Sequence, residues 1–178
     1  MNNTKTIILD NFFDNPDSVR GMALSLDYRK RTSTEFFEGV RSEHLHKVSP
    51  DFYNSVCSRI IIEYYGENNY AYEASVFFHK TEASDKADIQ WLTDKVHTDD
   101  LAIITGIVYL TPNAPISAGT QTYQKTSEGY IPDIVMGNRY NRLILYPAKT
   151  PHSAMDLFGN NYDCRLVMLF FLERISAV

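Results

Sequence analysis

The chain has 178 residues, 44% of them hydrophobic and 22% charged, the make-up of an ordinary globular protein long enough to bury one core. A formal net charge of −5 argues against nucleic acid or an anionic membrane as the main partner. No run approaches the roughly 20 apolar residues of a membrane span, and Met1 to Lys5 is polar with no secretory-leader pattern.

Cys57 and Cys164 sit far apart in no metal-binding spacing and read as two reduced thiols. A soluble, cytoplasmic protein is expected.

Thr6 to Leu9 is a short β-branched strand. Asn15 can cap a helix with Pro16 in its first turn and Asp17 favouring the dipole, and the helix runs to about Leu26 with Val19, Met22, Ala23 and Leu26 on one face. Tyr28 to Gly39 is polar, loop or strand edge. Pro50 to about Tyr65 is a second helix, with Phe52, Val56, Ile60 and Tyr64 as its stripe. Beyond Tyr70 the pattern turns to strands: Ala74 to Lys80, then a polar loop from Thr81 to Gln90, then a strand from Trp91 reaching His97. Leu101 to Leu110, Gly119 to Gln124, Tyr140 to Tyr146 and the nearly all-apolar Cys164 to Leu172 follow. Seven or eight strands with proline-rich turns after an N-terminal αβ cap predict a mainly β sandwich or jelly roll.

The chemistry gathers in His97-Thr98-Asp99, His152 and Arg165. Residues i and i+2 of an extended segment project to one side, so His97 and Asp99 can ligate one ion. His152 follows Pro151 after an apolar strand that a sheet can bring alongside. Two histidines and one carboxylate are the ligand set of a mononuclear non-haem iron(II) site, which keeps three positions open, two for a chelating 2-oxo acid and one for dioxygen. Arg165 opens an otherwise apolar strand, and a buried guanidinium is costly unless an anion pairs with it. That anion is either an acid of the chain, Asp163 or Asp156, or the carboxylate of a ligand. Asp100 would point away from Asp99 on a strand. His44 and His46 repeat the i, i+2 spacing without a third ligand and read as surface residues on an extended segment. His79, on a strand, either packs or lines the site, and Arg29-Lys30-Arg31 is a solvated loop.

Asp99 to Leu110, the Ser117-Ala118-Gly119-Thr120 turn, and Asn141 to Tyr146 through Pro151-His152-Ser153 to Arg165-Leu166-Val167 resemble the 2-oxoglutarate/Fe(II)-dependent dioxygenase superfamily, in the style of its prolyl-hydroxylase-like branch. The likeness covers roughly Tyr72 to Glu173. The N-terminal part, with Asp10 to Pro16 and Gly39-Val40-Arg41-Ser42, resembles small oxygenase-like proteins of tailed phages, whose compartment would be the host cytoplasm. The resemblance implies a double-stranded β-helix (cupin-like jelly roll) over residues 71–178, with an N-terminal strand and helix extension over residues 1–70 packing on it. It implies Fe(II), 2-oxoglutarate and O2, with His97, Asp99 and His152 as iron ligands. Arg165 would grip the distal carboxylate of 2-oxoglutarate bidentately, as lysine could not. Tyr109 matches a strand tyrosine that donates to the same carboxylate, or else is a core tyrosine. Two departures stand out. The turn reads Ser-Ala-Gly where relatives often show Gly-Gly, and Val167 and Leu169 follow Arg165 where many relatives place Ser or Thr, leaving the grip to Arg165 and Tyr109.

The implied reaction is hydroxylation of an unactivated C–H bond of a small-molecule or peptidyl substrate, with release of succinate and CO2. Ile107, Leu145 and Val167 would wall the pocket, and Gln121 to Arg139 would be a mobile rim that chooses the substrate. Two alternatives stay open: a cupin-like metalloenzyme that gives Arg165 no role, and a non-catalytic jelly-roll binding module, against which the intact triad speaks. Substrate identity and oligomeric state are left open.

Overall fold

Asn15 starts the first helix as its side chain dictates: Oδ1 accepts a hydrogen bond from the Ser18 N–H at 3.1 Å, and Pro16 occupies the first turn. This helix, α1 (Pro16–Ser25), buries Val19 and Ala23. The computed structural model describes residues 5–33, 35, 37–85 and 95–178. Among them the chain runs through β1 (Ile7–Leu9), α1, β2 (Tyr28–Lys30), β3 (Val40–Ser42), α2 (Leu45–Val48), α3 (Pro50–Tyr65), β4 (Tyr70–Thr81), β5 (Ile104–Tyr109), β6 (Thr120–Thr126), β7 (Gly129–Met136), β8 (Leu143–Pro147), β9 (His152–Ala154) and β10 (Arg165–Ala177). No described helix is long and apolar enough to cross a membrane.

The strands form two antiparallel sheets. The larger has the order β1-β8-β5-β10-β4-β3-β2, and the smaller β7-β6-β9. His97 adds a bridge beside β9 by pairing with His152. The architecture is the double-stranded β-helix, a jelly roll.

Strand parity divides the large sheet into two faces. On one, Val76 and Phe78 of β4, Ile104 and Val108 of β5, Leu143 and Leu145 of β8, and Leu166, Met168, Phe170 and Leu172 of β10 pack against Val56, Ile60 and Tyr64 of α3. Each fully buried aliphatic or aromatic side chain there contributes roughly 1.5–3 kcal/mol, so β10, apolar on both faces, anchors the core. The opposite face carries Phe77, Ile107, Tyr109, Ile144, Tyr146, Val167 and Leu169, and every site residue of this sheet shares that face.

Several elements differ from the sequence expectation, each for a local reason. β8 begins at Leu143, not Tyr140, because Asn141 is left-handed (φ 62°) and its side chain clamps the backbone of Phe13, accepting from N–H and donating to C=O at 2.8 Å each. Gln121 to Arg139 is no loose rim: most of it is the β6–β7 hairpin. Leu45–Val48 is helical, so His44 caps a short helix and His46 lies within it, instead of both standing on an extended segment, and their rings lie 5.5 Å apart. The strand expected from Trp91 lies largely outside the described residues, which resume at Lys95. Cys57 and Cys164 are free and buried, and burial pushes their thiols up to about 12 and about 11.

Candidate metal centre and its cavity

The two histidines are brought together by backbone pairing. His97 and His152 exchange N–H···O=C hydrogen bonds of 3.0 and 2.9 Å, which puts their side chains on one face of the sheet, ring centroids 4.4 Å apart. The Asp99 N–H bonds to the Ala148 carbonyl at 2.9 Å, fixing the segment one step further on. The ligand atoms of His97, Asp99 and His152 all lie within 4.8 Å of one another. Asp99 Oδ2 is 3.4 Å from His152 Nε2, and Oδ1 is 3.8 Å from His97 Nε2.

Hydrogen bonding selects the tautomers. His97 Nδ1 lies 2.8 Å from the Lys95 carbonyl and His152 Nδ1 lies 2.9 Å from the Thr150 carbonyl. A carbonyl only accepts, so both Nδ1 atoms carry the proton and both Nε2 atoms keep a lone pair. Burial lowers the His152 pKa to about 4, with the nearby Asp99 carboxylate acting the other way, so the ring is neutral at pH 7. Asp99 Oδ2 accepts from Thr105 Oγ1 at 2.5 Å. Asp100 turns away and accepts from Thr98 Oγ1. This set of borderline nitrogen and hard oxygen donors suits a divalent first-row ion bound on one face.

The three residues open on a cavity of about 550 Å³. Arg165, 5% exposed, lines it. Among the described residues no carboxylate forms an ion pair with it, neither Asp163 nor Asp156. Its Nε donates to the Ala118 carbonyl at 3.3 Å, and its guanidinium sits 5.6 Å from the Tyr109 ring centroid. The Ser-Ala-Gly turn therefore has a use: Ala118 holds the arginine. Gly119 has no room for a side chain, since a Cβ there would fall 2.0 Å from the Met136 carbonyl. Tyr109 is fully buried, and its hydroxyl pairs with Thr120 Oγ1 at 2.8 Å. Thr120, not Tyr109, lines the cavity.

Two hydroxyls that sequence reading did not single out line the same space. Thr81 Oγ1 and Tyr146 Oη are buried without a hydrogen-bond partner among the described residues, and an orphaned buried hydroxyl costs about 1–3 kcal/mol unless something fills it. Thr81 stands directly across from Arg165 in the β4–β10 pairing. It places a hydroxyl beside Arg165, where Val167 and Leu169 of the same strand offer none. Tyr146 stacks edge-on against His152, centroids 4.9 Å apart. Of the expected walls, Ile107 lines the cavity and Val167 belongs to the same inner cluster, whereas Leu145 faces the helices. Strand parity makes Ile144 and Tyr146 its inward neighbours. His79 lines the cavity, bonded through Nε2 to the Glu38 carbonyl at 2.6 Å, and burial lowers its pKa to about 3. The rim comes from Arg31, Phe37, Glu38 and Arg41, with a Lys95–Glu38 ion pair of 2.5 Å spanning it, and no residue of Gln121 to Arg139 takes part.

Solved structures share this fold. HygX from Streptomyces hygroscopicus, determined with nickel, 2-oxoglutarate and hygromycin B, superposes with a TM-score of 0.61 at 14% identity, covering 96% of this chain and 83% of its own. SnoK, a non-haem α-ketoglutarate-dependent carbocyclase of nogalamycin biosynthesis, gives 0.62 at 12% identity, covering 98% and 82%. A Pseudomonas putida prolyl-4-hydroxylase gives 0.53 at 14% identity, covering 96% and 94%. No family model matches the sequence, and no curated protein matches it.

Proposed function

We propose that the protein is an Fe(II)- and 2-oxoglutarate-dependent dioxygenase that hydroxylates an unactivated C–H bond of a small-molecule or peptidyl substrate, releasing succinate and CO2. One observation carries the reading: a ligand-ready His97–Asp99–His152 group and an uncompensated buried arginine open on the same cavity. A metal hydrolase or isomerase would need the first but leaves the second unexplained. Neighbours of the same fold that bind 2-oxoglutarate support it.

His97 and His152 would offer Nε2, and Asp99 a carboxylate oxygen, to iron(II). When bound, the iron and its 2-oxo acid supply two-electron reduction of dioxygen coupled to oxidative decarboxylation. The chain's own residues do the rest. Arg165 presents a planar fork to the distal carboxylate of 2-oxoglutarate, and Thr81 and Tyr146 aim unspent hydroxyls into the same cavity. Tyr109 and Thr120 form a hydroxyl pair behind it. Thr105 orients the Asp99 carboxylate, and Ile107 and Leu169 keep the space apolar.

The test is an anaerobic titration of metal-free protein with iron(II) and then 2-oxoglutarate, followed by visible absorption. A metal-to-ligand charge-transfer band that is absent in His152→Ala and weakened in Arg165→Met is the expected result. No band, with tight zinc binding instead, would remove the oxygenase reading.

A further inference from the structure

Besides Arg165 and the exposed Arg31, the cavity holds a half-buried guanidinium that the proposed chemistry does not use. Arg41 of β3 is sandwiched against Phe37 and Phe77, its Cζ 3.9 and 4.8 Å from the two ring centroids. Its Nε is buried, and no described residue accepts a hydrogen bond or an ion pair from any of its guanidinium nitrogens. The acids nearby are committed elsewhere. Both Glu35 oxygens take Arg29 at 2.8 Å, Glu38 pairs with Lys95, Glu173 accepts from Ser75 at 2.6 Å, Asp100 accepts from Thr98, and Asp99 belongs to the metal group. Burial lowers the Arg41 pKa to about 10, well above neutrality, so the unpaired charge persists at pH 7.

Arg41 also sits at a junction. It lines both the metal cavity and an adjoining hollow of about 320 Å³; Asp99 and Phe171 line both as well, and Phe77 lines the hollow. A guanidinium stacked between rings is held flat, with its hydrogen-bonding edge free to meet an oxyanion in plane. Around that edge the hollow is apolar on one side, through Phe77, Phe171 and Ala102.

We propose that Arg41 is the substrate-recognising residue: the substrate carries an oxyanion, carboxylate or phosphate, on an apolar body, and Arg41 pairs with that anion on the Asp99 side of the metal while Phe77 and Phe171 hold the body. The assignment rests on the oxygenase reading for the word substrate, but the anion site itself stands on geometry alone. It separates the two arginines: Arg165, buried, takes the co-substrate, and Arg41, at the junction with the outer hollow, takes the molecule to be oxidised.

The test uses zinc-loaded full-length protein, which is redox-inert, saturated with 2-oxoglutarate so that Arg165 is occupied. Calorimetric titration with 3-phenylpropanoate, 3-phenylpropanamide and 2-phenylethyl phosphate compares one body with three ends. The carboxylate or the phosphate is expected to bind at least tenfold tighter than the amide, and which of them leads identifies the anion. Arg41→Gln is expected to erase the preference without changing 2-oxoglutarate affinity, and Arg41→Lys, which keeps the charge but not the fork, to restore part of it. Protection of Arg41 from phenylglyoxal by the tighter anion and not by the amide, mapped by peptide mass, tests the same contact in unaltered protein. Equal binding of acid, phosphate and amide, or a preference that survives Arg41→Gln, overturns the proposal. Failure of 2-oxoglutarate to bind, with the anion preference intact, would instead overturn the oxygenase reading and leave the anion site standing.

Discussion

Arg165→Met should make the ligand-free protein more stable and at the same time blind it to 2-oxoglutarate. The guanidinium is 5% exposed with no carboxylate partner among the described residues, so the free protein carries the desolvation cost of a charge that only a ligand can offset. Replacing buried ionic groups by apolar ones of similar volume stabilises proteins by about 1–4 kcal/mol. Here the bond to the Ala118 carbonyl and the Tyr109 ring return part of that cost, which places the expected gain near the lower end, about 1 kcal/mol. For a chain of this length that is a rise in Tm of about 2–4 °C. With 2-oxoglutarate at a hundred times its Kd, metal-loaded wild type gains about 2.7 kcal/mol by mass action. The variant loses a bidentate charge-assisted pair, two hydrogen bonds of about 1.5–3 kcal/mol each, so the same concentration should leave its melting point almost unmoved. Differential scanning fluorimetry of both proteins, with and without the ligand, reads the two effects together. A variant that melts many degrees lower without ligand would mean Arg165 is a structural pillar. A variant that keeps the ligand-induced shift would mean the carboxylate binds elsewhere.

Four further outcomes follow from the same geometry. Thr105→Val removes the donor to Asp99 Oδ2 and should weaken metal binding about 10- to 100-fold, as loss of an outer-shell partner does, with Thr105→Ser restoring most of it in a chelator competition. Thr81→Val should cost about 1 kcal/mol of 2-oxoglutarate affinity, five- to tenfold, with the metal affinity unchanged, measured by quenching of intrinsic fluorescence. Asp10, whose pKa is lowered to about 2 chiefly by hydrogen bonding to Arg142, contributes stability above its unfolded pKa of about 3.9 that is lost as pH falls toward 2. Asp10→Asn should therefore cost about 1 kcal/mol in urea melts at pH 7, the exposed Arg139 contact being discounted for solvent, and the difference from wild type should shrink at pH 2.5. His79 is a base with a lowered pKa, so the unfolded chain takes its proton first and stability falls as pH drops from about 6.5 toward 3. His79→Gln should flatten that slope.

What could be read from the sequence and what could not divides along a physical line. The Asn15–Pro16 helix start, the two-faced β10 and the ligand spacing His97-x-Asp99 are local patterns, in which a residue and its neighbours carry the whole signal. Arg165 is legible locally as well, since a lone cation in an apolar strand asks for an anion whatever the topology. Leu145 lies on the face opposite to the expected one because an all-apolar strand has no alternation to set its parity, and only pairing with Ile7 and Gly106 decides it. The hairpin strand β7 escaped because seven of its eight residues are exposed and Pro132 interrupts it, so neither burial nor alternation marks it.

Thr81 shows the harder limit. Its importance comes from standing opposite Arg165, 84 residues away in sequence, with its hydroxyl left without a partner. Gly39, left-handed at φ 73°, approaches it closely, so that a Cβ there would meet the Lys80 carbonyl at 2.1 Å and Thr81 Cγ2 at 2.9 Å. The same approach lays β3 along β4, pairing Arg41 with His79, and so delivers the second arginine to the cavity. A single glycine turn thus couples the grip on the deep end of the pocket to the chemistry of its mouth. Gly39→Ala should disturb both, weakening 2-oxoglutarate binding and the Arg41 anion preference in one variant while leaving the His97–Asp99–His152 metal affinity, set by the β9 bridge, close to that of wild type. Loss of metal binding in that variant would show that the two halves of the site are not built independently.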